Sequence, residues 1–209
     1  MIGNFLGNIR SVAWSAIAVG LAFLLLYAMG VQGNGLMSST TMQAFLRWSH
    51  VLVGIMWIGH LYYFNFTQIP NVPKIPEEHR GPAISKVIAP AALYWFRWGA
   101  MLTLITGILL AWNQGYLLQA YTLGATEDFA VSKHIFIGIG MWLATIMFIN
   151  VWFVIWPNQQ RALNINDRFP DLTKEQRAGH ARTAMLFSRT NTFLSVPMLV
   201  AMTGAQTLA

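Results

Sequence analysis

Cysteine is absent from the 209 residues of this chain. That excludes disulfides, iron–sulfur ligation, thiolate catalysis and the Cys-x-x-Cys-His attachment of c-type haem. A metal or cofactor must therefore rest on His, Met, carboxylate or backbone groups. Charge is nearly as scarce. Asp, Glu, Lys and Arg make up 10% of the residues and apolar types 56%, against about 25% and 45–50% in ordinary soluble domains. So little charge cannot cover a soluble globule of this size. No P-loop, dinucleotide-binding glycine fingerprint, nucleophile elbow or His-Glu-x-x-His is found. No charge run or low-complexity linker marks a second domain, so residues 1–209 are expected to form one unit.

What is present is a series of apolar stretches near the ~20 residues that a helix needs to cross a bilayer. They cover roughly 12–31, 44–66, 91–112, 131–156 and 184–203. The fold class expected is all-α, a polytopic membrane helix bundle of about five spans. The first stretch has a rival reading as a signal peptide: Arg10, an apolar run, then Ala28-Met29-Gly30. Its apolar run is long for that role.

The net charge of +6 is explained by loops on one side of a membrane. Arg10, then Lys74, Arg80 and Lys86, then Arg161, Arg168, Lys174, Arg177 and Arg182 fall in segments that share a side. The loop 31–43 and the tail after Thr203 carry no Lys or Arg. The N-terminus is thus expected to be cytoplasmic and the C-terminus outside. Within the polar stretch 158–182, Pro170 and Asp171 precede Leu172-Thr173-Lys174-Glu175-Gln176. This is a helix start with Asp or Thr as cap, and predicts a short amphipathic helix on the cytoplasmic surface.

Three of the five histidines, His50, His60 and His134, fall within spans. Ionisable residues there are costly and mark candidate functional sites. His50 and His134 enter parallel spans at depths that agree within about 5 Å. Their sequences match: His50-Val-Leu-Val-Gly54 and Trp57, then His134-Ile-Phe-Ile-Gly138 and Trp142. A glycine one turn below a ligating histidine leaves room for a flat macrocycle. Two such helices face to face would hold b-type haem between axial imidazoles, with Arg47 and Lys133 placed for its propionates. The other reading is packing: small residues line membrane helix interfaces, and histidines hydrogen-bond across them.

His60 lies about 15 Å deeper than His50 and is rotated by about 80°, so it cannot share that ring plane. It is a candidate for a substrate or quinone pocket, for proton transfer, for a second haem, or for a bond to a neighbouring helix. His79 and His180 read as surface residues. Arg97 opens the third span and Arg189 and Asn191 the fifth, all at the cytoplasmic side, near Asn65 and Gln68. Paired guanidinium groups with amide neighbours suit a planar anion. Interfacial snorkelling is the alternative for arginines so placed.

Several stretches resemble the membrane domain of bacterial urate hydroxylases, the membrane-bound, cytochrome c-linked urate oxidases. They are Arg47-Trp-Ser-His50, Gly54-Ile-Met-Trp57-Ile-Gly59-His60-Leu-Tyr-Tyr-Phe-Asn65-Phe, Asn150-Val-Trp152, Ile-Trp156-Pro157-Asn158-Gln159 and Ser188-Arg189-Thr190-Asn191-Thr192. A more distant similarity is to HemJ-type haem-binding membrane proteins. The resemblance implies oxidation of urate to 5-hydroxyisourate, with electrons passed to cytochrome c. His60, Arg97, Arg189 and Asn191 are then expected at the substrate. Haem b is expected on His50 and His134, beside Gly54, Gly138, Arg47 and Lys133. The chain stops at Ala209 without a cytochrome c domain, so the cytochrome is expected to be a separate partner. The alternative is a non-enzymatic haem-binding subunit of a respiratory complex. A small transporter is disfavoured by the lack of an inverted repeat or broken helices.

Overall fold

The computed structural model describes residues 2–208, apart from the side chains of residues 2 and 4. Every regular element among them is helical. The chain divides into two compact units, Met1–Ser49 and His50–Ala209.

In the first unit, Asn8 caps helix α1 (Ile9–Leu25), its side chain accepting from the backbone N–H groups of Arg10 and Ser11. The helix is apolar on all sides and none of its residues is buried. A helix of this kind belongs in a membrane or a large core. It widens into a π-helical turn, Leu26–Val31. Ser38 then caps helix α2 (Ser39–Tyr62), its hydroxyl accepting from the Thr41 N–H at 3.2 Å. Within this unit the Trp48 ring packs over Gly20, 3.4 Å from where a Cβ would stand.

The second unit holds the end of α2, then α3 (Ala89–Asn113), α4 (Leu117–Tyr121), α5 (Ser132–Ile149), α6 (Trp156–Leu163) and α7 (Lys174–Gly204). Trp57 and Leu61 of α2, Phe96 and Ala100 of α3, Met147 of α5 and Ala184 of α7 meet in its larger core. Small residues set the helix spacing, as is usual between membrane helices. A Cβ on Gly99 would come within 3.1 Å of the Trp57 nitrogen, and one on Gly140 within 3.2 Å of the Ala201 methyl. A smaller core of Ala111, Tyr116, Ala120, Ile137, Met141 and Ala205 closes the other end.

Three π-helical segments, Tyr63–Gln68, Arg80–Ile88 and Asn150–Ile155, each run into an α-helix whose second residue is proline: Pro70, Pro90 and Pro157. Proline has no N–H for the carbonyl four residues back, and its ring crowds that carbonyl. The turn before each proline is the one that widens. Such π segments are rare and concentrate at functional sites.

Among the described residues, three helices are long and apolar enough to cross a membrane: Ile9–Val31, Glu77–Asn113 and Ser132–Leu163. They coincide with the first, third and fourth expected spans. The second and fifth stretches are helical and long enough, but less apolar than these three. Their polar residues make interhelical bonds, described below. The expected short surface helix needs correction. Thr173 does cap a helix, in a reciprocal capping box with Gln176. That helix does not stop before the fifth stretch but runs unbroken to Gly204. No proline falls between the cap and Pro197, and Ala178, Ala181 and Ala184 favour continuation. The carboxyl of Glu175 is held below its usual range by its own backbone N–H and by the Thr173 hydroxyl.

Candidate functional site

His50 is held by α3. Its Nδ1 lies 3.0 Å from the Thr103 carbonyl oxygen and 3.2 Å from the Thr106 hydroxyl. A carbonyl only accepts, so Nδ1 carries the proton and donates. The ring rests on Gly107, where a Cβ would approach Cε1 to 2.9 Å. His134 is held by a different element. Its Nδ1 lies 2.6 Å from Glu127 Oε2, in the turn before α5, and its ring stacks on Tyr116 at 5.5 Å between centroids.

Donor chemistry and space give different answers for haem. An imidazole whose Nδ1–H is held by a carbonyl or carboxylate is oriented as metal-ligating histidines are. Both histidines meet that condition. The glycine gaps do not make a ring slot. At Gly138 the space for a side chain is taken by the backbone carbonyl of Ala120, and Leu123 Cδ2 is 3.0 Å away. At Gly54 the nearest atom is Thr103 Cγ2, at 3.9 Å. Gly138 thus lets α4 pack against α5, and a macrocycle does not fit against it in this arrangement. Arg47 is exposed and Lys133 half-buried. No cluster of three or more His, Asp or Glu suited to a metal ion occurs among the described residues.

His60 donates from Nδ1 to the Met56 carbonyl at 2.7 Å, one turn back on its own helix. It lines a groove of about 620 Å³ with Gly59 and Tyr63, facing Val87, Ala92 and Trp95 across the gap.

Arg97 sits in a cage of tryptophans. Its guanidinium carbon is 3.8 Å from the ring centre of Trp156, 5.3 Å from Trp152 and 5.8 Å from Trp98. Such contacts are worth about 0.5–1 kcal/mol when exposed and about 2 when desolvated. The π segment Asn150–Ile155 presents Trp152, and the first residue of α6 is Trp156. In the sequence the two are marked by their i, i+4 spacing. Two donors there are buried without a partner: Nε of Arg97 and Nε1 of Trp152. Unmet buried donors are costly, and each asks for an explanation. Elsewhere in the same unit, Asn65 Oδ1 and Gln68 Oε1 are buried acceptors without a partner.

Arg189 and Asn191 do not share one environment. Arg189 is exposed. Asn191 is fully buried, donating to the Met147 carbonyl at 2.9 Å and accepting from Asn150 Nδ2 at 2.8 Å. It belongs to a polar seam along α7. Ser188 accepts from Asn65 Nδ2 at 2.8 Å, and Ser195 lies 3.0 Å from the Tyr62 hydroxyl. Spaced at 188, 191 and 195, these residues share one helical face. His79 is exposed beside Glu78, and His180 donates to Asn158 Oδ1 at 2.7 Å.

Residues 111–206 match the family model described as urate oxidase N-terminal. The matched stretch contains Lys133, His134, Gly138, Arg189 and Asn191, together with Trp152 and Trp156 of the cage. Arg47, His50, Gly54, His60 and Arg97 precede it. No curated protein and no solved structure matches the chain.

Proposed function

We propose that this chain is the membrane-embedded part of an oxidoreductase that takes urate, or a purine anion of the same shape, at Arg97. The observation that carries the proposal is the pair of buried, unmatched donors on Arg97 and Trp152 within an aromatic cage. A site with donors and no acceptor calls for a ligand rich in acceptors. Urate is flat, carries one negative charge near neutral pH and has three carbonyl oxygens. Tryptophan faces suit its ring, and a guanidinium edge suits two of its heteroatoms.

The remaining parts follow from the resemblance and are proposed with it. The reaction is the two-electron oxidation of urate to 5-hydroxyisourate, with the new oxygen from water. The electrons pass to a separate cytochrome c at the periplasmic face. Haem b on His50 and His134 is the redox group that the resemblance implies. The oriented imidazoles favour it, and the packing at Gly138 opposes it. Embedding in a bacterial inner membrane, with five spans and a cytoplasmic N-terminus, is supported by three apolar helices and by the one-sided Lys and Arg. Large apolar side chains left exposed, Phe23 in the first unit and Trp112 and Phe153 in the second, point the same way.

Urate binding to the purified chain in lipid nanodiscs tests the substrate reading, with quenching of tryptophan emission as the signal. Saturable quenching is expected, weakened about tenfold or more in Arg97→Gln, as for a lost charge-assisted bond. Absence of urate binding by the folded wild type sinks it. An absorption spectrum of the same preparation tests the haem reading: a reduced-minus-oxidised b-type signal lost in both His50→Ala and His134→Ala supports it.

A further inference from the structure

The groove beside His60 involves none of the cage residues and needs an occupant of another kind. We propose that it binds a quinol, a flat dihydroxy ring carrying an apolar tail. This holds whether or not urate binds at Arg97.

Its walls come from α2, from the start of the π segment Tyr63–Gln68, and from the junction of the π segment Arg80–Ile88 with α3. Both sides are therefore edged by widened helix, a feature that clusters at functional sites. The volume of about 620 Å³ lies within the range of small-molecule pockets. It accommodates one substituted ring and the first units of a tail. The mouth is flanked by Ile55, Val87 and Trp95, each more than half exposed. Val87 and Trp95 belong to a helix apolar enough to span a membrane. The groove thus opens on the flank of that helix, where the neighbour in a membrane is lipid, and admits a lipid-soluble ligand.

His60 sets the polarity that the ligand must have. The Met56 carbonyl fixes the proton on Nδ1, so Nε2 presents a lone pair and accepts. A quinone has only carbonyl acceptors and leaves that nitrogen unmatched; a quinol donates its hydroxyl to it. Gly59 keeps the floor clear, for a Cβ there would meet nothing within 4 Å. The rings of Tyr63 and Trp95 offer flat surfaces to a flat head group.

The test measures binding of decylubiquinol to the full chain in nanodiscs, with the ring nitrogens of His60 followed by 15N NMR. Saturable binding that shifts Nε2 is expected. His60→Phe should weaken it about tenfold, the scale of one lost hydrogen bond to a buried group. Gly59→Leu, whose Cβ would meet nothing within 4 Å, should weaken it at least as much. The dimethyl ether of the same compound, which cannot donate, should bind about tenfold more weakly than the quinol. Equal binding by the ether, or wild-type affinity in both variants, overturns the assignment. So does competition by diacylglycerol, which has a hydroxyl but no ring. Disulfide formation between copies through Gly59→Cys, in a chain that otherwise has no cysteine, would put a second copy over the groove and overturn it too.

Discussion

The imidazole of His50 lies against Gly107, close enough that a methyl group there would stand 2.9 Å from Cε1. Thr103 and Thr106 hold Nδ1 from the same helix. Positions 103, 106 and 107 fall on one face at i, i+3 and i+4, so one stretch of α3 both holds Nδ1 and backs the ring. Gly107→Ala should therefore push the ring off its partners. Alanine also favours a helix by up to about 1 kcal/mol over glycine, and Gly59→Ala, with open space around it, isolates that gain. Relative to that control, Gly107→Ala should lose about 1 kcal/mol, the scale of one hydrogen bond. Thermal unfolding in a common detergent gives the difference. An unmoved His50 ring, by 15N NMR, together with equal stability would refute the account.

The two glycines that follow the paired histidines differ in what surrounds them, and that difference separates packing from cofactor clearance. A Cβ on Gly54 would make an ordinary contact with Thr103, whereas one on Gly138 would run into the Ala120 carbonyl. Gly138→Ala should destabilise the protein by about 1–3 kcal/mol, the usual cost of overpacking. Gly54→Ala should be nearly neutral. The pattern should be the same whether or not haem is supplied during expression. Comparable losses of haem absorbance in both variants, with no change in unfolding temperature, would restore the ring slot.

Periodicity and composition made the helices legible, since apolar runs near 20 residues leave few alternatives. That His50 and His134 lie on helices was legible too, but not their neighbours. Residue spacing along a helix fixes its own faces and says nothing of which face a second helix covers. Gly138 thus read as clearance for a ring, when α4 fills the place. The short α4 was not anticipated at all. Arg97 was recognisable as a charge at the start of an apolar stretch. Its cage was not, because Trp152 and Trp156 are brought round it by a π turn before Pro157, and the proline was the only trace of that turn in the sequence. Asn191 was expected at the substrate; its bonds to Asn150 and the Met147 carbonyl tie helices together, and spacing along one helix does not reveal such partners.

Glu127 is the residue that decides how His134 presents itself. It lies seven positions upstream, in the turn entering α5, and its carboxylate accepts from Nδ1 at 2.6 Å. Glu127→Gln keeps an acceptor oxygen in place and should retain the Nδ1–H tautomer. Glu127→Ala should leave the ring held only by Tyr116 stacking, and 15N NMR should then show both tautomers exchanging. If a b-type spectrum is found in the wild type, Glu127→Ala should weaken haem retention about 10–100-fold, as outer-shell changes do at metal sites. A His134 signal identical in all three proteins would remove Glu127 from the site.

Asn191 distinguishes a tie between helices from a group that handles substrate. Its side chain joins α7 to α5 and to Asn150 in the adjoining π segment, and it is fully buried. Asn191→Leu leaves Asn150 Nδ2 and the Met147 carbonyl without their partner. An unmet buried group costs about 1–3 kcal/mol, although bonds between membrane helices average nearer 0.6, so a loss of about 1–2 kcal/mol is expected. Asn150→Leu alone should cost a similar amount. The double variant should cost less than the two combined, with a coupling of at least about 0.5 kcal/mol, because the second change removes the stranded amide. Urate affinity in nanodiscs should stay within about twofold of wild type in Asn191→Leu, well short of the 1.4 kcal/mol that a tenfold change represents. A variant that is as stable as wild type yet no longer binds urate would show that Asn191 belongs to the substrate site.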